Sequence, residues 1–363
     1  MTVNKAKRKD EKMKKKLLLL TVSLFAIMLV FAGCGSNDDS NTGGEAEVWK
    51  LAHTESTGTM YDNYAHHFAD LVSEKSNGRI TVEIYPVGQL GDTGTQVEML
   101  MNNGIQFGMF AAGDVGDMFP ATQALALNFV FSDNDDVNNA VLTQGEATKY
   151  LDELFKEKNL VTYDWLSLGN MQWTSNKPLH TIKDFKNFKM RIMASPIIAA
   201  NYEALGASPT PMAFTETYSG LQLKTVEGTE QPLNAIQEMK FYEVQDYITM
   251  SNHAQMASFM SMNADFYNGL SDEDKALLEE IKPEMESFAA ENLQQLLTEK
   301  FDAIKEAKPE IKVEELTDAE RQAFIDASLP VRDRIEEFGG KEAKEVLDLL
   351  LADVEKYEKE ING

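Results

Sequence analysis

With 363 residues, 43% of them hydrophobic, the chain can bury a sizeable core, and its length favours two domains over one. Its net charge of −25 repels phosphate backbones and anionic headgroups, which argues against nucleic-acid binding and against adsorption to a lipid surface. The only cysteine is Cys34, so neither an intrachain disulfide nor a cysteine-based metal site is available.

The first segment reads as an address. Lys14, Lys15 and Lys16 precede an apolar run from Leu17 to Phe31, and Phe31-Ala32-Gly33-Cys34 closes it with small residues. This pattern predicts a secretory signal over residues 1–33, complete from Met13 onward, ending in a lipobox-like sequence with Cys34 as the lipidated mature N-terminus. The apolar run is shorter than the roughly 20 residues that a spanning helix needs. Residues 34–46 are then small and polar, as expected of a tether leading from a lipid anchor to an extracytoplasmic domain.

From Val48 the pattern becomes regular. Val48–His53 reads as a strand, and Tyr61, Tyr64, Ala65, Phe68, Leu71 and Val72 recur at helical spacing up to Gly78. Ile80, Val82 and Ile84 alternate as a second strand. Val97, Leu100 and Met101 mark a helix ending near Gly104, and Ile105, Phe107 and Met109 alternate again. This order predicts an α/β sheet that is largely parallel, with helices on both faces. A second α/β segment begins after Gly169, with Lys189–Met193 as a strand, Pro196 opening a helix and Gly206 closing it. From Ser271 the pattern is helical with only Pro283 interrupting it before Pro309, and some 36 residues of helix would span about 54 Å.

Within the strand KMRIM stands Arg191, a guanidinium among apolar neighbours. Arginine does not shed its charge on burial, so it needs an anion. A ligand and a distant acidic side chain are equal candidates on this reasoning alone.

The stretch KMRIM, ALGASPTPMAFTETYSGL, VEGTEQPL and KFYEVQDYIT through His253 resembles the extracytoplasmic solute-binding subunits of tripartite ATP-independent periplasmic (TRAP) transporters. LAHTES, YPVGQLGD and TSNKP extend the resemblance over nearly all of the mature chain. It implies a two-lobed periplasmic-binding-protein-like fold, each lobe a mainly parallel sheet flanked by helices, with a long helix spanning both. Residues 47–168 with 257–296 would form one lobe and 169–256 with 297–350 the other, leaving 351–363 as the end of a helix. It further implies capture of a small organic acid by lobe closure, delivery to small and large membrane permease subunits, and no chemistry on the ligand. A ligand-sensing subunit of a membrane receptor and an enzyme on the same scaffold are the rival functions.

The same resemblance assigns Arg191 to the ligand's carboxylate, Gln231 to an asparagine-like contact with it, and Phe214 to an aromatic wall. His53, Thr54 and Glu55 line the matching first loop. Met171 stands where sialic-acid-binding members have a second arginine, Ala112 where they have a glutamate and Thr93 where they have an aspartate, which disfavours sialic acid. With Arg191 the only matched cation, a hydroxylated monocarboxylate such as a sugar acid is expected before a dicarboxylate or keto acid. Trp173, Met171, Met193 and Met212 are further candidates for the cleft, Trp173 equally for a domain core.

The remaining signals are structural in character. No HExxH, GxSxG, P-loop or GxGxxG sequence occurs, and no cofactor or metal is expected. Adjacent His66 and His67 point about 100° apart on a helix and read as surface residues. His253 is expected to make a hinge-side hydrogen bond. The run Ser132–Asp136 lacks the glycine and glutamate of a calcium loop and reads as a solvated loop or a helix start.

Overall fold

The computed structural model describes residues 47–363; the signal segment, Cys34 and the tether lie outside the described residues. The chain opens with β1 (Glu47–His53), α1 (Met60–Lys75), β2 (Ile80–Tyr85), α2 (Thr93–Met101) and β3 (Phe107–Ala111), the alternation read from the sequence. Local chemistry fixes the boundaries. The Thr59 hydroxyl accepts from the Asp62 amide and the Asp92 carboxylate from the Thr95 amide, capping α1 and α2. Helix α1 stops where Asn77 and Gly78 take φ of 54° and 76°, a region that glycine enters freely and asparagine at small cost.

Helices α3 (Asp135–Gln144) and α4 (Glu146–Lys156) lead into β4 (Leu160–Asn170). Asn134 caps α3 through the Asp136 amide, so the acidic run at 132–136 is indeed a helix start. A second region follows: β5 (Gln172–Ser175), β6 (Lys189–Ile192), α5 (Pro196–Ala204), β7 (Ser208–Pro211), α6 (Thr217–Gln222), β8 (Gly228–Gln231), α7 (Leu233–Glu238), α8 (Phe241–Val244) and β9 (Tyr247–Met250). The chain returns through β10 (Gln255–Asn263) and α9 (Ala264–Gly269). It then runs through α10 (Asp272–Ala307), β11 (Lys312–Glu315), α11 (Asp318–Arg332) and α12 (Ile335–Asn362).

The strands form two sheets, β2-β1-β3-β10-β4 and β11-β9-β5-β8-β6-β7, which with their helices make the two lobes. Each sheet is mixed rather than wholly parallel: β10 runs antiparallel to β3 and β4, and β5 runs antiparallel to β8 and β9. The exceptions have one cause. The chain passes from β4 into β5 across Met171, and from β9 into β10 across residues 251–254. A strand that enters from the other sheet starts at the end where the βαβ strands finish, and so runs against them.

Helix α10 is 36 residues long with Pro283 inside it, as the sequence predicts. It packs on α1 and β4 beside the first sheet and on α7 beside the second, burying Leu277, Leu278, Ile281, Met285, Leu293 and Leu296. Helix α12, broken at Gly340 (φ 71°), packs on α3, α4 and the 3-10 turn Pro120–Ala126. Residues 335–350, which the sequence groups with the second lobe, therefore lie against helices of the first.

Candidate ligand-binding site

Strand β6 carries Arg191 between β7 and β8, with Arg191 opposite Thr210 on one side and Thr229 on the other. The side chain is 2% exposed. Its Nε and Nη2 both donate to the Met212 carbonyl, at 3.0 and 2.8 Å. That carbonyl fixes one edge of the guanidinium, while Nη1 is buried and has no partner. Among the described residues no carboxylate lies within ion-pair distance of Arg191; burial lowers the guanidinium's pKa, and the charges of Asp114 and Glu230 act against that. The free edge is thus the part of Arg191 left for an anion.

Arg191 lines a cavity together with Thr54, Glu55, Asp114, Met193, Phe214, Gln231 and Met256. Thr54 and Glu55 follow β1, Asp114 sits in the 3-10 turn after β3, and Met256 is in β10, all of the first lobe. Arg191, Met193, Phe214 and Gln231 come from the second. Six of the residues expected from the sequence are therefore gathered in one place, and neither lobe supplies the cavity alone.

Its polar atoms are unsatisfied. Glu55 Oε2, Gln231 Oε1 and Arg191 Nη1 are each buried without a partner, on residues that line this one cavity. Burial, helped by the charge of Glu238, pushes the Glu55 carboxyl up to about 8, so it is largely protonated at neutral pH and able to donate a hydrogen bond. Burial also raises the pKa of Asp114, against the pull of Arg191. Asp114 has no motif around it in the sequence and only the folded turn brings it here. Phe214 packs edge-on against Phe241 at 6.2 Å and presents an apolar wall.

The other expected residues lie elsewhere. Met171 lines an adjoining cavity with Ala112, Glu230 and Ala257, and Met193 and Met256 line both. Met212 contributes its backbone carbonyl rather than its thioether to the site. His53, expected in the first loop's binding group, is fully buried under α1 with Nε2 3.4 Å from Asp62 Oδ1, and burial lowers its pKa to about 4. As the last residue of β1, it points to the side of the sheet opposite its neighbour Ala52, which the period-2 pattern cannot orient relative to a cleft. Trp173, also expected in the site, is core instead. Its indole donates to Tyr202 Oη at 3.0 Å and stacks on His253 at 4.8 Å. His253 holds the crossover by pairing with Glu230 at 2.9 Å through Nε2 and with Ser251 at 2.7 Å through Nδ1. His66 is exposed, and His67 stacks on Phe288 at 4.1 Å.

Among the described residues no group of three or more His, Cys, Asp or Glu side chains is placed to hold a metal, and no helix is long and apolar enough to cross a membrane.

Two sheets joined by crossing strands, with a polar cavity built from both, define a protein that captures a small ligand between two lobes. Residues 51–337 match the family of bacterial extracellular solute-binding proteins, family 7 (DctP), and the chain belongs to that family. The ectoine-binding periplasmic protein TeaA of Halomonas elongata is 31% identical over 95% of this chain and 98% of its own. A structure of that protein superposes with a TM-score of 0.82, covering 85% of this chain and 100% of the other. The C4-dicarboxylate-binding protein DctB of Bacillus subtilis is 31% identical over 86% of this chain and 89% of its own. The sugar acid binding protein of Advenella mimigardefordensis, in complex with galactonate, superposes with a TM-score of 0.80 at 25% identity, covering 86% and 99% of the two chains. The family consists of substrate-binding proteins rather than enzymes, and TRAP solute-binding proteins work with small and large membrane permease subunits.

Proposed function

We propose that this chain captures an organic acid with a single carboxylate, held by Arg191, and delivers it to the permease pair from a lipid anchor at Cys34 on the outer side of the membrane. The observation that carries the carboxylate is the buried, unpartnered Nη1 of Arg191, a residue lining a cavity shared by both lobes. A second carboxylate has no cation to meet there: Glu55 and Asp114 face the same space, and an unpaired buried charge is costly. Gln231 would support the carboxylate, and Thr54, Glu55 and Asp114 offer partners to hydroxyls, which favours a hydroxylated monocarboxylate, whether a sugar acid or a simpler hydroxy acid. Phe214 forms the apolar wall.

The enclosed space at the cavity's centre is about 20 Å³, enough for a water and far too small for an organic acid. Ligand entry therefore requires the lobes to part, and contacts from both lobes then shift the population back towards closure. We take the lobes as residues 47–170 with 255–296 and 171–254 with 297–334, so that each strand stays with its own sheet.

A second reading follows from the count of charges: two carboxyl groups, Glu55 and Asp114, flank one guanidinium. A ligand that brings a carboxylate and a cation would satisfy both signs, and TeaA is named for binding ectoine, which is such a zwitterion. Thermal-shift screening followed by calorimetry separates these readings. Galactonate binding more tightly than ectoine or succinate supports the hydroxylated monocarboxylate, and ectoine binding more tightly supports the zwitterion. Succinate binding more tightly than either overturns the single-carboxylate assignment. Arg191→Ala should weaken the best ligand by roughly 100-fold or more, because it removes one partner of a buried charge pair. Arg191→Lys should restore only part, since an ammonium cannot present two parallel donors. Near-parental affinity in Arg191→Ala would take the arginine out of the site.

A further inference from the structure

We propose that the Arg191 cavity is one end of a longer site. Its other end is the alanine-lined chamber beside it, and the ligand's far end is a short apolar segment terminating in a hydrogen-bond donor. The inference rests on Arg191 as the carboxylate anchor and specifies what lies beyond the carboxylate.

The chamber is apolar because its wall is made of small side chains. Ala112, Ala126, Ala254 and Ala257 line it together with Met171 and Ile198, and none of these side chains can hydrogen-bond in the way a hydroxylated chain requires. Two polar side chains reach the same wall, and they differ in their state. Gln255 is spent: its amide nitrogen donates to Ser167 Oγ, and its oxygen accepts from Asn138 Nδ2 at 3.2 Å. Glu230 is half spent. Its Oε2 accepts from Tyr202 at 2.6 Å and meets His253 at 2.9 Å, whereas Oε1 is buried and has no partner. A buried acceptor left unpaired is unfavourable, and the group that would satisfy it is a single donor, hydroxyl or ammonium, arriving at the end of an otherwise apolar chain.

Between the two cavities stand Met193 and Met256, which line both. Met193 follows β6 in the second lobe and Met256 lies in β10 of the first, so the partition is built from opposite sides of the cleft. Each cavity encloses only about 20 Å³. Thioether side chains have three rotatable bonds and little preference among shapes, so turning these two aside joins the cavities without moving backbone. The joined site then reads in order: guanidinium, polar lining, thioethers, alanine wall, one carboxylate oxygen. A straight-chain ω-hydroxy or ω-amino carboxylic acid matches that order. A sugar acid, hydroxylated at every carbon, would turn several donors towards methyl groups.

Calorimetry on the purified chain tests this with straight-chain ω-hydroxy and ω-amino acids from propanoate to heptanoate length, their unsubstituted parents, and galactonate. Affinity should rise with length to a maximum and there exceed that of the unsubstituted parent by about tenfold or more. Ala126→Leu and Ala254→Leu, both at half-buried positions, each fill the chamber from a different side. Each should weaken the best long acid by about tenfold while leaving the shortest within about twofold, with melting temperatures reporting that the variants fold. The inference is overturned if affinity ignores length and terminal group, or if the leucine variants weaken short and long acids alike. Galactonate binding more tightly than every substituted acid, or no binding of any substituted acid, also overturns it. These outcomes leave the carboxylate anchor standing, whereas parental affinity in Arg191→Ala removes the anchor itself.

Discussion

Glu55 combines burial, an unpaired oxygen and a pKa of about 8, so its protonation and the protein's stability are linked. An acid whose folded-state pKa is raised favours the folded state fully below its unfolded value of about 4.5, and that contribution is lost as pH rises through the folded value. Glu238 and Asp164, each pushed up by burial to about 7, act with the same sign over a slightly lower range. His53 acts oppositely. With its folded-state pKa lowered to about 4, stability is lost as pH falls from about 6.5 towards 4. Over the range in which His53 acts the three acids outweigh it, so these four groups together should make stability decline as pH rises from weakly acidic to weakly alkaline solution. Between pH 7 and pH 9 Glu55 should account for about 1 kcal/mol of the decline, so Glu55→Gln should flatten that limb in thermal unfolding. An unchanged slope in Glu55→Gln would remove Glu55 as its source.

At the scale of elements, the crossover at residues 251–254 is held from several directions. Arg321 of α11 donates to the Ser251 carbonyl at 2.7 Å, lies over the Phe129 ring at 5.1 Å and pairs with Asp133. Phe129, at φ 55°, in turn donates its amide to the His253 carbonyl at 2.6 Å. A bulky side chain in the left-handed region is unfavourable unless its surroundings hold it, and Arg321 is part of that hold. Arg321→Ala should cost about 1 to 3 kcal/mol in chemical denaturation, the range for a charged group leaving a buried carbonyl unpaired, although it lines neither cavity. A cost near zero would mean that the crossover is fixed without it. Helix α10 offers the converse case. Pro283 is exposed inside the helix and lacks an amide donor. Since proline is about 3 kcal/mol less favourable than alanine in a helix interior, Pro283→Ala should raise the denaturation midpoint. A lower midpoint would show that Pro283 itself is needed for α10 to follow both lobes.

The whole molecule is acidic, with a net charge of −25, and its positively charged N-terminal segment precedes Cys34. A carboxylate ligand therefore approaches a surface of its own sign. Screening that repulsion should make association faster: from 0.01 to 0.15 M salt the Debye length falls from about 30 to about 8 Å, and the on-rate should rise by roughly two- to fivefold. Stopped-flow fluorescence with the tryptophans as reporters would measure it, and an on-rate that falls with salt would reveal local positive steering around Arg191 that the total charge conceals. Closure is a property of the same scale. Saturating ligand should reduce the radius of gyration in solution scattering and come back chemically unchanged; a constant radius would mean that the lobes do not part to admit it.

The alternating strands and helices from Glu47 to Ala111, the helix opened by Pro196 and the 36-residue span of α10 were legible in the sequence because each is written in local chemistry: a period, a cap, a proline or a turn residue. Arg191 was legible for a similar reason, as a permanent charge in an apolar strand. Thr54, Glu55, Phe214 and Gln231 came from the family resemblance, and the fold does bring them to Arg191. The sequence could not orient His53 or Trp173, since a strand's period says which residues share a face and not what covers that face. Nor could it find Asp114, the free oxygen of Glu230 or Met256, whose thioether meets that of the expected Met193. None of them carries a local pattern, and they meet only because the chain crosses between its sheets and brings side chains distant in sequence to one cleft. The antiparallel course of β5 and β10 was hidden for the same cause: the direction of a strand depends on which sheet the chain has just left, and that is decided in three dimensions.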